Sequence, residues 1–125
     1  MTFMTRVMFV KKVPSGTSIS YGRTFITDKE TPVATLPVGY ADGYSRSLSG
    51  RGEVLIKGHR VPLIGRICMD MCMIDISGVE NVQPGDEVIL FGEGLPADEV
   101  AEELGTINYE VVCAVGKRVP RVYVA

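Results

Sequence analysis

Apolar and polar residues alternate with a period of two over short stretches of this chain, and most stretches end at glycine, proline or aspartate. The runs are Arg6 to Val13, Ser18 to Tyr21, Val33 to Val38, Glu53 to Ile56, Val61 to Ile64, Met71 to Ile76, Glu87 to Phe91 and Val111 to Val115. A period of two sends successive side chains to opposite faces of an extended backbone, so each run predicts a strand. The first nine residues hold two apolar clusters and read as the lead into the first strand. Pro14-Ser15-Gly16, Lys57-Gly58 and Pro84-Gly85-Asp86 supply the fixed or permissive φ that a chain reversal needs. The second of these predicts a hairpin. Many short strands expose many unpaired edges unless the sheet closes on itself. The expected fold is therefore mainly β, a small closed Greek-key-like β-barrel, with residues 1–125 forming one domain.

One segment departs from this pattern. Pro96 is followed by Ala97-Asp98-Glu99-Val100-Ala101-Glu102-Glu103-Leu104, with Gly105 just beyond. Proline early, acids in the first turn and glycine after the last turn predict one short helix over about 96–104, with Val100, Ala101 and Leu104 facing inward.

Composition narrows the functional classes. The chain has 125 residues, 46% hydrophobic and 22% charged, as in an ordinary globular domain. Thirteen basic and fifteen acidic residues are dispersed along it, which argues against a nucleic-acid partner. No apolar run approaches the ~20 residues of a membrane span. The N-terminus lacks the features of a secretory signal, so a cytoplasmic location is expected. Cys68, Cys72, Cys113 and the single His59 show no metal-ligand spacing, and three cysteines make no disulfide framework.

Self-contained catalysis is not visible either. The chain order supports no Ser/His/Asp or Cys/His arrangement, and there is no phosphate-cradling glycine loop. Gly39-Tyr40-Ala41-Asp42-Gly43-Tyr44 reads as a loop leaving a strand. Ser20-Tyr21-Gly22-Arg23 sets a tyrosine beside a glycine at a strand end. Gly65 to Met73 packs methionines and cysteines around Arg66 and Asp70, which read as an ion pair on an apolar strand, and Lys117-Arg118-Val119-Pro120-Arg121 is a basic patch. Taken singly, each is most simply structural.

Taken together and in order, these clusters resemble the C-terminal domain of alanine racemases. Val10-Lys11-Lys12-Val13-Pro14-Ser15-Gly16, Ser20-Tyr21-Gly22-Arg23-Thr24-Phe25, Val38-Gly39-Tyr40-Ala41-Asp42-Gly43-Tyr44, Gly65-Arg66-Ile67-Cys68-Met69-Asp70, Gly85-Asp86, Ile107-Asn108-Tyr109-Glu110 and Arg118-Val119-Pro120-Arg121 carry the resemblance, which covers the chain after about residue 6. It implies a β domain that follows an N-terminal (β/α)₈ barrel bearing pyridoxal 5'-phosphate on a lysine. A barrel of that kind takes about 250 residues and is absent here. None of Lys11, Lys12, Lys29, Lys57 and Lys117 sits in the family's cofactor context. The chain alone is thus expected to be inactive, to hold no cofactor covalently, and to be the C-terminal domain of a longer enzyme.

The resemblance also assigns roles. It implies that Tyr21 is a catalytic acid–base, contributed to the active site of the second subunit of a homodimer. The backbone N–H of Met69 is implied to meet the carboxylate of a small amino-acid substrate, and Asp70 to shape that loop. Tyr40 is implied to narrow the active-site entrance, with Arg46 and Arg66 lining the approach. Where some members place a tyrosine on the cofactor phosphate, this chain has Lys117, a point charge instead. L- and D-alanine are the implied substrates, for supply of cell-wall precursors, with serine or another small amino acid as the alternative. A non-catalytic β module is the rival from another class. Loss of barrel contacts should leave apolar surface exposed around Tyr21 and Met69.

Overall fold

The structure is a computed structural model that describes residues 1–19 and 25–124. Among the described residues, nine strands alternate with tight turns: β1 (Phe3–Arg6), β2 (Phe9–Val13), β3 (Ser18–Ile19), β4 (Phe25–Ile26), β5 (Thr31–Leu36), β6 (Glu53–Ile56), β7 (His59–Ile64), β8 (Cys72–Asp75) and β9 (Glu87–Phe91). Two short helices follow, α1 (Ala97–Leu104) and α2 (Asn108–Cys113). Seven strands form one antiparallel sheet in the order β1-β9-β6-β7-β8-β5-β2, and β3 pairs with β4 separately.

The two ends of that sheet order are consecutive in the chain, joined only through Val7 and Met8. This link bonds to both flanks. The Val7 N–H donates to the Asp86 carbonyl at 2.9 Å, the Gly85 N–H donates to the Val7 carbonyl at 2.8 Å, and the Met8 N–H donates to the Thr35 carbonyl at 2.8 Å. The expected single run from Arg6 to Val13 is therefore two strands with a corner between them. The sheet curls like a half-barrel and its ends meet at that corner, which limits exposed edge. Leu36, Val54, Ile56, Ile74, Val88 and Leu90 fill the inside and are at most 1% exposed.

The Lys57-Gly58 hairpin forms as expected. Ile56 faces His59 across it, and both turn residues have positive φ, 49° and 76°, which matches the twist of the flanking strands. A second apolar cluster, Val13, Ile19, Val33 and Ile64 with Phe25 and Met73, lies apart from the main core. It packs the short β3–β4 pair against β2, β5, β7 and β8, so β5 is buried almost throughout.

The expectation of one helix needs correction, because Val111 to Val115, read as a strand, is the end of α2 and the residues after it. Valine has modest helix propensity, but tertiary packing overrides it. Val111 and Val115 turn into the core, the Thr106 hydroxyl donates to the Glu110 carboxylate at 2.9 Å, and Asn108 donates to Asp98 of α1 at 2.6 Å. Helix α1 runs as the sequence predicts, closed by Gly105 at φ 68°. Arg60 of β7 grips Glu99 and the Gly94 carbonyl and holds α1 against the β6–β7 hairpin.

Leu90 has no exposed surface, and Leu90→Ala would leave a cavity at the centre of the curl. We expect a loss of about 2–5 kcal/mol, read as a lower urea midpoint.

Candidate functional site

The site is built where β5 and β7 run out. After Leu36 the chain reaches Gly39 and a single 3₁₀ turn, Tyr40–Asp42, that lies against the loop leaving β7. The Tyr40 N–H donates to the Cys68 carbonyl at 3.1 Å and the Ala41 N–H to the Met69 carbonyl at 3.0 Å. Gly39 is extended, so its φ does not demand glycine; the space does. A Cβ there would stand 2.1 Å from the Cys68 oxygen and 2.5 Å from the Met69 oxygen. Gly43 closes the turn at φ 96°, with a Cβ position 2.0 Å from the Ala114 oxygen.

Gly65 to Met71 is a loop rather than part of an apolar strand, and β8 begins at Cys72. The Ile67 N–H donates to the Ser49 hydroxyl at 2.8 Å, and the Cys68 N–H to the Met71 carbonyl at 2.9 Å. These bonds fix the peptide between Cys68 and Met69. Its carbonyl is taken by Tyr40, and because a trans peptide sends C=O and N–H in opposite directions, the Met69 N–H points away from the Tyr40 turn. That N–H has no acceptor among the described residues. A free amide of this kind favours an anionic acceptor.

Beside this loop lies a cleft of about 330 Å³ lined by Tyr40, Arg46, Arg66, Ile67, Cys68 and Met69. The structure thus brings together four residues singled out from sequence: Tyr40, Arg46, Arg66 and Met69. Two guanidinium groups and one amide give it an anion-attracting character. Tyr40, Met69 and Met71 expose apolar surface at the rim, at 44%, 53% and 40%. Tyr21 lies within residues 20–24, outside the described residues. The strands on either side of them, β3 and β4, pair through Ser18 with Ile26 and Ile19 with Phe25.

The third segment at the site follows α2. The Gly116 N–H donates to the Asp42 carbonyl at 2.9 Å. Arg118 donates through Nε to Asp42 Oδ1 at 2.6 Å and through Nη2 to Asp70 Oδ1. Sequence reading pairs Asp70 with Arg66, but its carboxylate receives Arg118. Asp42 and Arg118 were not singled out as site residues, and 76 positions separate them, so no local spacing could connect them. Lys117 is exposed beside this bridge, makes no ion pair among the described residues, and does not line the cleft.

Asp42 is mostly buried, and burial alone would oppose its ionisation. The hydrogen bond from Arg118, the Gly39 N–H at 3.0 Å and the Arg118 charge outweigh this and hold its carboxyl below the ordinary value. The two carboxylates in turn push the Arg118 guanidinium up. Burial, then the neighbouring Cys68, pushes the Cys72 thiol up to about 12, which makes it a core residue and not a nucleophile. Burial likewise raises Tyr44. Among the described residues no cluster of His, Cys, Asp or Glu is arranged to hold a metal ion, and no helix is long and apolar enough to cross a membrane.

A family model described as "Alanine racemase, C-terminal domain" matches residues 1–123. The chain belongs to the alanine racemase C-terminal domain family. Curated alanine racemases of Desulfovibrio desulfuricans and Desulforamulus reducens are 59% and 58% identical over 125 residues, 99% of this chain and 34% of theirs. Among solved structures, alanine racemase of Clostridium difficile superposes with TM-score 0.95 at 45% identity, over 98% of this chain and 32% of that one. The Bartonella henselae alanine racemase, solved with covalently bound pyridoxal phosphate, gives 0.95 at 33% identity, over 98% and 34%. The chain thus spans about a third of the length of these racemases, and the rest of each lies outside the match.

The Asp42–Arg118 contact has a pH signature. A folded-state pKa below the ordinary 3.8 means stabilisation that is complete above that value and lost as pH falls through the lower, folded one. Wild type should therefore melt higher than Asp42→Asn at pH 6, with the gap narrowing below about pH 4. A gap that is constant in calorimetry from pH 6 to pH 2.5 would contradict this assignment.

Proposed function

We propose that this chain is the β domain of a pyridoxal-phosphate-dependent alanine racemase and supplies part of the active site of a second subunit. The observation that carries the reading is the Met69 N–H, which has no acceptor among the described residues and belongs to a peptide held by the Tyr40 turn at a cleft that Met69 lines with Arg46 and Arg66. An amino-acid carboxylate fits that amide and the positive field around it. Membership of the family and its likeness to alanine racemases support alanine as the substrate.

Inverting an α-carbon requires that a proton leave on one face and another arrive on the opposite face. When bound, pyridoxal phosphate supplies the electron sink that makes the α-proton acidic. Tyr21 holds the proton-transfer oxygen on one face: in one direction it accepts the α-proton and in the other it returns one. An unperturbed phenol has a pKa of about 10, so this role needs surroundings that favour its phenolate. The Met69 N–H binds the carboxylate and sets the α-carbon within reach. Tyr40 narrows the opening, while Arg46 and Arg66 draw anions toward it.

The fit of this chain to the cofactor is limited to its edge. Arg118 is committed to Asp42 and Asp70, and Arg121 donates to the Val115, Gly116 and Val119 carbonyls, which leaves Lys117 as the cation of that segment able to meet a phosphate. The lysine that carries the group covalently belongs to the barrel.

In a racemase carrying this chain as its C-terminal domain, Tyr21→Phe should lower turnover of both L- and D-alanine by about 10²–10⁴-fold. The cofactor absorbance should be retained. Near-normal turnover would remove Tyr21 from the chemistry.

A further inference from the structure

Three chain segments distant in sequence converge at the cleft: the Tyr40–Asp42 turn, the Gly65–Met71 loop and the stretch after α2. The first two meet through backbone bonds from Tyr40 and Ala41 to the Cys68 and Met69 carbonyls. Those bonds hold the loop at its base. Beyond Met69, Asp70 is exposed, and among the described residues its tie to the other two segments is one side chain, Arg118. The same guanidinium donates to Asp42, whose second oxygen accepts the Gly39 N–H at 3.0 Å. A planar fork between two carboxylates fixes direction as well as distance, which a lysine ammonium does not.

We propose that Arg118 is a positioning residue: it sets the Met69 peptide against the Tyr40 turn and so aims the Met69 N–H at the substrate carboxylate. This rests on the reading of Met69 given above. Arg118 does not line the cleft and acts only through Asp42 and Asp70. Its side chain is 53% exposed, and exposed ion pairs add little to global stability. Its loss is therefore felt in the geometry of the cleft more than in melting.

Two measurements test this. In the 125-residue chain, Arg118→Met should accelerate amide hydrogen exchange at Tyr40 and Ala41 about tenfold, while Val88 and Leu90 in the core stay as protected as in wild type. In a racemase carrying the chain, the same change should raise KM for alanine about tenfold with kcat little altered, and Asp70→Asn should add almost nothing to it. Arg118→Lys should restore only part of the KM. Unchanged exchange at Tyr40 and Ala41, or effects of Arg118→Met and Asp70→Asn that simply multiply, would overturn the proposal. If Arg118→Met does not fold, Asp70→Asn alone cuts the same link and is judged by the same exchange criterion. An inactive wild-type racemase would instead count against the functional reading, because the exchange measurement judges the clamp without any activity.

Discussion

The arrangement of the cleft depends on one close approach of two backbones, Gly39–Ala41 against Cys68–Met69. Two main chains can lie this near only if one of them lacks a side chain at the point of contact, and the 2.1 Å between a Cβ at position 39 and the Cys68 oxygen shows where that point is. The approach does two things at once. It gives the Cys68 and Met69 carbonyls backbone donors, and it turns the intervening Met69 N–H away from the Tyr40 turn. A hydrogen bond to the carbonyl of a peptide also polarises its N–H, so the Tyr40 bond strengthens the amide on the opposite side of the same plane.

The charges follow from this contact. Arg46 and Arg66 line the cleft, while the third guanidinium nearby, Arg118, is met by two carboxylates. Were Arg118 to face the cleft, it would compete with the amide for a small anion. Held by Asp42 and Asp70, it becomes part of the frame and leaves the lining of the cleft to Arg46, Arg66 and the Met69 loop. The guanidinium and Asp42 each favour the charged state of the other, so the bridge persists across the neutral range.

What was legible in the sequence was local. Period-two runs and turn residues gave most strands, the Lys57-Gly58 hairpin and α1, because each depends on neighbours within a few positions. Helix α2 was not legible, since its valines favour a strand and only contacts with α1 and the core make it helical. The corner at Val7 was equally hidden, as it exists to serve Asp86 and Thr35, residues far along the chain. Ordered motif matches brought out Tyr40, Arg46, Arg66 and Met69, which the structure gathers in one cleft. The same matches included Asp42 and Arg118 without revealing a role, because their pairing spans 76 positions and bears no periodicity.

The curled sheet explains why so short a chain can hold such a cleft steady. Tyr40 and Arg46 lie between β5 and β6, and Arg66 to Met69 between β7 and β8, strands that bury Leu36, Val54, Leu63 and Ile74, so each lining segment is anchored in the core at both ends. The tip of the second segment runs from Met69 to Met71. It exposes two methionines, and Arg118 holds its Asp70 carboxylate. Methionine is flexible and adapts to irregular apolar surfaces, which suits an exposed rim. The same seven residues therefore hold the Met69 amide beside the Tyr40 turn and expose two methionines, and the guanidinium between Asp42 and Asp70 joins that loop to the turn.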